Sequence, residues 1–284
     1  MKRILSIITA TALFGFLIYA VTFQKKEIPV QKPGEVISTA AYARYFGAVP
    51  PVDKGVAYAF VIYFPSRKEP GKVVPFPFFT FDEGSIKKVA VERLLVGMDT
   101  GSYQGDFLNA PAGSRIVGLQ EAQGTTTLTL SKEFGTTSDA SKFVKAFDQT
   151  LRQFKGVSAV GVRIDGNAAP LPVQSSESDI LQPGPPRLLG VTAMKDKGVK
   201  EVEEVDAFFD RPVDVKELKL MAHDGQQYEG DLYHSAFDMA GVLKPRNRSQ
   251  FTERMPIKVR WKVVDKLGRQ AEGNDVVSLE VKVH

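Results

Sequence analysis

The spacing of apolar residues divides the chain into an apolar start, a half with mixed helix and strand patterns, and a half with strand patterns alone. Residues Ile4 to Phe23 hold no charged side chain. From about Lys54 to Ala168, runs of strand and helix periodicity alternate. From about Arg187 to His284, only short strand runs recur, separated by turn signals.

The apolar start predicts a membrane anchor in residues 1–24. A run of about 20 apolar residues can cross a bilayer as a helix. The alternative is a cleaved signal peptide, which has a shorter apolar run and small residues before its cleavage site. We favour the uncleaved anchor, with the folded domains outside the cytoplasm. This predicts a single-pass protein of the cell membrane, with extracytoplasmic domains.

The first folded domain, predicted over residues 54–168, has the pattern of an α+β layer. Residues 123–124, Gln-Gly, separate two strand runs in the manner of a hairpin turn. Phe143 and Phe147 belong to an apolar series at helical spacing. The predicted order is β-α-β-β-α-β, with both helices on one side of a small sheet. Its elements are a strand at 55–65, a helix at 86–96, a hairpin at 115–131, a helix at about 138–156 and a strand at 157–166.

Polar segments flank this domain. Residues 25–53 are rich in Pro and Gly around one short helix, Ser38 to Phe46, and are interpreted as a tether. Residues 169–186 hold Pro, Ser and Gln without an apolar period, and are interpreted as a linker.

The second domain, predicted over residues 187–284, has the pattern of an all-β immunoglobulin-like (Ig-like) sandwich. Short strands at regular spacing, separated by turn dipeptides, are typical of that fold. The run PIKVRWKVVD alternates apolar and basic residues, so Trp261 is predicted to face the core. An acidic run from Glu201 to Asp210 is interpreted as a solvated strand edge rather than a calcium site.

Composition and motifs argue against several kinds of chemistry. The chain has no cysteine, so disulfides, thiolate zinc sites and cysteine nucleophiles are excluded. Its three histidines, His223, His234 and His284, lack metal-ligand spacing. The net charge of +4 is spread along the chain, without the basic block of a nucleic-acid binder. No nucleophile elbow, P-loop or dinucleotide fingerprint occurs. We therefore predict a non-catalytic protein with no cofactor, no metal site and no nucleic-acid partner.

Two segments are candidate interaction sites. An aromatic stretch is either core or a surface that a partner covers, and the sequence leaves both alternatives open. A loop from Met98 to Asn109 carries side chains able to contact a sugar. The aromatic residues are Phe76, Phe78, Phe79 and Phe81, and the loop residues are Asp99, Tyr103, Gln104 and Asp106.

Five segments of the first domain occur in the order found in one known family. They are VIYFP, VERLLVG, APAGSRIVGL, LTLSKEF and FVKAFDQTLRQFKGVSAVGVRIDG. On these segments the domain resembles the GerMN domains of sporulation and spore-germination proteins. The resemblance implies an envelope protein without accepted catalytic residues. It also implies modules that associate side by side, through a sheet face of one copy and the helices of the next.

The second domain is similar in part to copper-binding CopC-like sandwiches, through AFFDRPVDVKELKLMAHDGQ and VRWKVVDKLGRQAEG. The turn at residues 266–269, Lys-Leu-Gly-Arg, lacks the histidine ligand of that family, so no copper site is expected.

These observations support two hypotheses. The first is a membrane-anchored envelope protein that works by association with copies of itself or with other envelope proteins, as a sporulation-like or secretion-like scaffold. The alternative is a module that binds wall glycan or a small ligand through the loop at 98–109, with or without hydrolase activity.

Overall fold

Two separate hydrophobic cores organise the computed structural model of this protein, which describes residues 34–167, 169–173 and 175–283. The first core lies in the half predicted as α+β, and the second lies in the half predicted as all-β. The predicted membrane-spanning run, Ile4–Phe23, lies outside the described residues. Within them, no helix combines the length and apolar character that crossing a bilayer requires.

A three-stranded sheet forms around one of the longest apolar runs of the chain. Its strands, in spatial order, are β1 (Glu35–Ser38), β2 (Val56–Pro65) and β3 (Val73–Thr80). β2 pairs in parallel with β1 and antiparallel with β3, and most of its side chains are buried. β3 contains Pro75 and Pro77, which cannot donate ladder hydrogen bonds, and it lies at the edge of the sheet.

A second three-stranded sheet contains the predicted hairpin. Its strands, in spatial order, are β4 (Ile116–Ala122), β5 (Thr125–Leu130) and β6 (Ala159–Ile164). Gln123 and Gly124 turn the hairpin at φ of 49° and 78°, as a tight turn between right-twisted strands requires. Leu128 and Leu130 of β5 face the first core, so the hairpin prediction is confirmed.

Three helices complete the first domain: α1 (Ala40–Phe46), α2 (Ile86–Val96) and α3 (Ala140–Arg152). α1 begins where the Thr39 hydroxyl accepts a hydrogen bond from the Tyr42 amide at 3.1 Å. α2 ends at Gly97, whose φ of 87° few other residues adopt without strain. α3 buries Phe143 and Phe147, at the helical spacing that predicted it.

The order of elements in this domain corrects the prediction. It is β-α-β-β-α-β-β-α-β in two three-stranded sheets, rather than β-α-β-β-α-β in one. β3 adds a strand because it pairs with β2 along its whole length. β1 and α1 fall within the predicted tether but belong to the domain. Parallel pairing with β2 holds β1, and burial of Tyr42, Tyr45 and Phe46 holds α1.

Residues of the predicted linker run along the first domain. The Leu181 amide donates to the Val73 carbonyl at 2.9 Å, beside the buried Ile180. Asp179 forms an ion pair with Lys145 of α3 at 3.1 Å. This segment is therefore fastened to the first core before the chain enters the second domain.

The second domain is a sandwich of a five-stranded and a three-stranded sheet. The five-stranded sheet has the order β10-β11-β8-β7-β14, and the three-stranded sheet has the order β13-β12-β9. The strands are β7 (Leu188–Lys195), β8 (Glu204–Phe209), β9 (Val213–Met221), β10 (Gly230–His234), β11 (Ala240–Pro245), β12 (Pro256–Asp265), β13 (Gln270–Ser278) and β14 (Glu280–Val283).

Trp261 of β12 faces the second core, as predicted, with 7% of its surface exposed. Its indole packs edge-on against Phe209 of the opposite sheet, with centroids 5.4 Å apart. Its Nε1 donates to Asp275 Oδ2 at 2.6 Å. The buried Leu279 separates β13 of the three-stranded sheet from β14 of the five-stranded sheet.

Candidate functional site

An open groove of about 870 Å³ lies on the first domain, and every residue lining it belongs to that domain. Its walls are the end of β1, residues 58–60 of β2, the start of α2, part of β4 and residues 153–155 directly after α3. Phe60 and the half-buried Phe154 lie within it, with ring centroids 5.5 Å apart. Ile37 is also part of the lining and is 45% exposed. The groove therefore offers apolar surface that the chain leaves uncovered.

Gln153 at the end of α3 shapes the groove by replacing a missing strand. β1 ends at Ser38, so the backbone of β2 beyond Ala59 needs other partners. The Gln153 amide supplies them: Oε1 accepts from the Val61 amide at 2.8 Å, and Nε2 donates to the Val61 carbonyl at 2.5 Å. Oε1 also accepts from the Thr39 hydroxyl at 2.9 Å. α3 thus docks on the sheet where pairing stops, and the space beside it stays open.

Charged side chains surround this apolar surface. Lys87 forms an ion pair with Glu121 at 2.6 Å across the groove wall. Lys155 is exposed and has no ion-pair partner among the described residues. Desolvation raises the pKa of Tyr58, and the nearby Glu83 carboxylate raises it further, so this hydroxyl stays neutral. The groove therefore has an apolar base and an edge of positively and negatively charged side chains. Within this edge, Lys155 is a cation without an ion-pair partner among the described residues.

The described residues do not form a metal site in the groove or elsewhere. Across residues 34–283, apart from 168 and 174, no three His, Asp or Glu side chains lie close enough together to hold a metal ion. The groove polar groups are lysines, carboxylates, hydroxyls and one fully hydrogen-bonded amide. Such a surface is suited to binding an apolar segment through contact and charge.

The aromatic stretch is divided between core and domain contact. Phe76 is 4% exposed and packs in the first core. Phe78 packs against Phe60, with centroids 5.4 Å apart. Phe79 is half-buried and stacks on Phe237 of the second domain, and Phe81 is 60% exposed. Of the four predicted surface residues, Phe81 alone is largely exposed.

The predicted ligand loop connects the two domains. The Tyr103 hydroxyl is buried and donates to Asp210 Oδ2 of the second domain at 2.7 Å. Asp106 pairs with Lys68 at 2.7 Å and lies 3.8 Å from Arg187. Asp99 and Gln104 are exposed, but Asp99 Oδ1 accepts a turn hydrogen bond from the Gly105 amide at 2.8 Å.

Electrostatics keep Tyr103 neutral in this loop. Burial raises the pKa of Tyr103, and the charge of Asp210 raises it further. The hydroxyl therefore remains a hydrogen-bond donor to a buried carboxylate. Of the four predicted ligand residues, Asp99 and Gln104 therefore keep exposed side chains, whereas Tyr103 and Asp106 are engaged in contacts within the chain.

A buried ion network fastens the two domains and the linker together. Arg211 is 3% exposed and forms a bidentate pair with Asp210, at 3.0 and 2.8 Å. Its Nη1 donates to the Gly184 carbonyl of the linker at 2.8 Å. Arg269 pairs with Asp265, and its Nη2 donates to the Tyr45 carbonyl of α1 at 2.8 Å. We name this set of contacts, together with Tyr103, the interdomain joint.

Sequence reasoning missed the interdomain joint. Asp210 ends the acidic run interpreted as a solvated edge, but its side chain is fully buried. The local signal in the sequence is that the Asp210-Arg211 pair stands between two apolar runs, residues 207–209 and 212–213. Adjacent opposite charges inside an apolar stretch indicate a buried pair more than a solvated turn.

The first domain matches a known family. Residues 61–169 match a family model described as "Germane: Sporulation and spore germination". Residues 61–169 carry a GerMN-type domain. This match agrees with the resemblance in the sequence motifs, and we call the first domain, which contains the match, the GerMN domain. The match includes the loop of the interdomain joint and residues 83–155 of the groove lining, whereas residues 37–60 of the lining precede it.

Solved structures with similarity to the chain include two from Bacillus subtilis. The first GerMN domain of the sporulation protein GerM is 23% identical, over 42% of this chain and 97% of that one, with a TM-score of 0.34. The tandem GerMN domains of GerM are 18% identical, over 61% of this chain and 58% of that one, with a TM-score of 0.35. The chain thus spans little more than half of the tandem structure.

CopC from Methylosinus trichosporium OB3b is 12% identical, over 34% of this chain and 94% of that one, with a TM-score of 0.24. PcoC, a methionine-rich copper resistance protein from Escherichia coli, is 17% identical, over 34% of this chain and 100% of that one, with a TM-score of 0.26. A search of curated proteins finds no match.

Proposed function

We propose that this protein is a membrane-anchored, non-catalytic module of the cell envelope that works by association, and that the groove of its GerMN domain receives the partner. The partner is a second copy of the chain or another envelope protein, in a sporulation-related assembly. The family match of residues 61–169 supports the sporulation setting.

The open apolar groove is the observation that carries this proposal. Ile37, Leu119 and Phe154 lie in its lining, and each keeps part of its side chain exposed. Apolar surface of this kind gains free energy when a partner removes it from water, at roughly 25 cal/mol per Å². Lys155 beside it provides a charge with which a partner carboxylate can pair.

The second domain, which we propose to be of Ig-like type, serves as a spacer held in a fixed orientation. The interdomain joint supports this role, since Arg211 and Asp265 are almost fully buried where the domains meet. A rigid connection lets an anchored protein present the groove at a defined position, which raises the effective concentration for a partner in the same envelope.

The alternative function is ligand binding by the loop at 98–109. Two of the side chains predicted to contact a ligand are already engaged in contacts within the chain. Tyr103 is committed to Asp210, and Asp106 to Lys68. A sugar would have to displace those contacts to reach either side chain. The groove requires no such rearrangement.

Sedimentation velocity of the full chain in detergent micelles, over a wide concentration range, tests the proposal for self-association. Pull-down from envelope extracts tests it for another protein. We expect Ile37→Asp to weaken association at least tenfold, because it places a charge in the apolar groove. Val96→Asp is the matched control, since Val96 is 73% exposed and lies outside the groove lining.

Two results would contradict the proposal. One is a chain that stays monomeric at every concentration and also captures no envelope protein. The other is association that Ile37→Asp and Val96→Asp leave equally strong, which would place the contact on another surface.

A further inference from the structure

The outward face of the three-stranded sheet in the second domain collects basic side chains. Ile257, Val259 and Trp261 of β12 point into the core, so the residues between them point outward. The strand register places Lys219 of β9 beside Arg260 of β12. The basic residues of this face, which we call the basic face, are Lys219, Lys258, Arg260 and Lys262.

The basic face keeps an excess of positive charge after its ion pairs are counted. Lys219 and Arg260 share one carboxylate, that of Glu217, at 3.2 Å each. Lys262 lies 3.6 Å from the exposed Glu272. Lys258 has no ion-pair partner among the described residues. Four cations thus stand against two carboxylates.

The second domain as a whole is not basic, so the excess of positive charge is confined to this face. Residues 187–284 contain equal numbers of acidic and basic side chains. Much of the acid lies elsewhere, for example in the run from Glu201 to Asp206, which leads into the opposite sheet. Charge separated onto one flat face favours an extended anionic partner over a small ion.

Apolar residues lie at one end of the basic face. In the strand register, Lys258 lies between Met221 of β9 and Val276 of β13. Val276 is 65% exposed, and the Arg260 side chain is 61% exposed. A phospholipid surface combines the matching features, which are phosphate charge on a plane and acyl chains just beneath it.

We propose that the basic face lies against anionic phospholipid headgroups and orients the second domain on the membrane. This inference rests on the proposed membrane anchoring, which holds the chain at a bilayer. Each cation at an anionic membrane surface strengthens binding about fivefold, so an excess of two gives roughly 30-fold. Such attraction is too weak to anchor a free domain, but it suffices to orient a tethered one.

A single fluorescent label tests this contact, since the chain contains no cysteine. Val276→Cys, labelled with an environment-sensitive dye, is prepared in the full chain and reconstituted into vesicles. One set is phosphatidylcholine alone, and the other includes about one-third phosphatidylglycerol. Val117→Cys is the matched control, because Val117 is 50% exposed on β4 of the GerMN domain.

We expect the label at 276 to shift to shorter wavelength and to be quenched by bilayer quenchers in the anionic vesicles alone. Salt at 1 M should reverse the change, because it shortens the screening length to about 3 Å. Lys258→Glu with Arg260→Glu should abolish it, while circular dichroism reports whether that variant keeps its fold. The label at 117 should be the same in both vesicle types.

The proposal is overturned if the label at 276 reports the same surroundings in both vesicle types, or if the charge-reversal variant still responds. A response to soluble polyphosphate without a response to anionic vesicles would assign the face to a wall polymer, and would equally overturn the membrane assignment. Flotation of the chain with neutral vesicles tests the anchor separately. Ile37→Asp tests the groove, so the failure of one idea is distinguishable from the failure of another.

Discussion

Phe79 of the GerMN domain stacks on Phe237 of the second domain, with ring centroids 4.3 Å apart and ring planes 11° from parallel. Phe237 lies between β10 and β11 at a φ of 59°, in the left-handed region that residues other than glycine rarely occupy. That conformation costs about 1–2 kcal/mol and persists where surrounding contacts hold it. The stacked pair therefore links a strained turn of one domain to the edge strand of the other.

Phe237→Ala should destabilise the folded chain through loss of this stack. We expect the free energy of unfolding in urea to fall by about 1–2 kcal/mol, because an aromatic pair contributes beyond the area it buries. Phe81→Ala is the comparison. Phe81 also lies near Phe237, with ring centroids 5.6 Å apart, but it is 60% exposed and does not stack, so its loss should cost less. Equal losses from the two variants would mean that the stack contributes little.

Tyr103→Phe should weaken the interdomain joint. The change removes the hydroxyl that donates to Asp210, and a hydrogen bond to a buried charged group is worth about 1.5–3 kcal/mol. Thermal unfolding should show the lower stability. Tyr233→Phe is the control, since Tyr233 is 50% exposed and should tolerate the change. A wild-type melting temperature for Tyr103→Phe would contradict the role we give to the joint.

Comparing Gly101→Ala with Gly105→Ala should separate two contributions to the free energy of unfolding: the steric clash of a new Cβ and the strain of a positive φ. Gly101 has a φ of 54°, and a Cβ there would lie 1.7 Å from the Leu189 carbonyl oxygen of the second domain. Gly105 has a φ of 79° and open space around it. We expect Gly105→Ala to cost about 1–2 kcal/mol, the backbone term alone. Gly101→Ala should cost clearly more, and chemical denaturation measures both. Similar losses would show that the loop yields at its contact with Leu189.

The Lys266–Asp214 pair should make stability depend on pH in the acid range. The hydrogen bond from Lys266, 2.6 Å long, lowers the pKa of Asp214. A carboxyl group whose pKa is lower in the folded state stabilises the fold at pH values above its ordinary pKa, which is near 4. That stabilisation is lost as the pH falls through the pKa of the folded state. The stability difference between wild type and Asp214→Asn should therefore hold from pH 7 to 5 and shrink towards pH 3.

Urea unfolding at pH 7, 5 and 3 measures that difference. Lys258→Met is the control, because Lys258 has no ion-pair partner among the described residues and its effect should not follow this profile. A difference for Asp214→Asn that stays constant down to pH 3, or grows there, would show that the pair does not carry the effect.

Local periodicity accounts for the parts of the fold that the sequence predicts. The alternation in β12 placed Trp261 in the core, and the helical series with Phe143 and Phe147 located α3. The Gln123-Gly124 turn defined the hairpin. In each case the pattern repeats over enough residues for one face to be identified.

Long-range pairing accounts for the parts that the sequence does not predict. β1 has four residues, and it is a strand only because β2 offers a parallel partner. Tyr103 and Asp210 are 107 positions apart, so nothing near either residue reveals their hydrogen bond. The groove exists because Gln153 stands in for a strand that ends at Ser38. This arrangement depends on three segments that are distant in the sequence and close in the fold: β1, β2 and the end of α3.

Photo-crosslinking from position 37 in intact envelopes tests the central claim most directly. A photoreactive amino acid replaces Ile37 in one version of the full chain and Val96 in the control, both of which are exposed. The account predicts a discrete cross-linked product from position 37, either a dimer of the chain or an adduct with one envelope protein, and none from position 96. No product from position 37, or the same products from both positions, would contradict it.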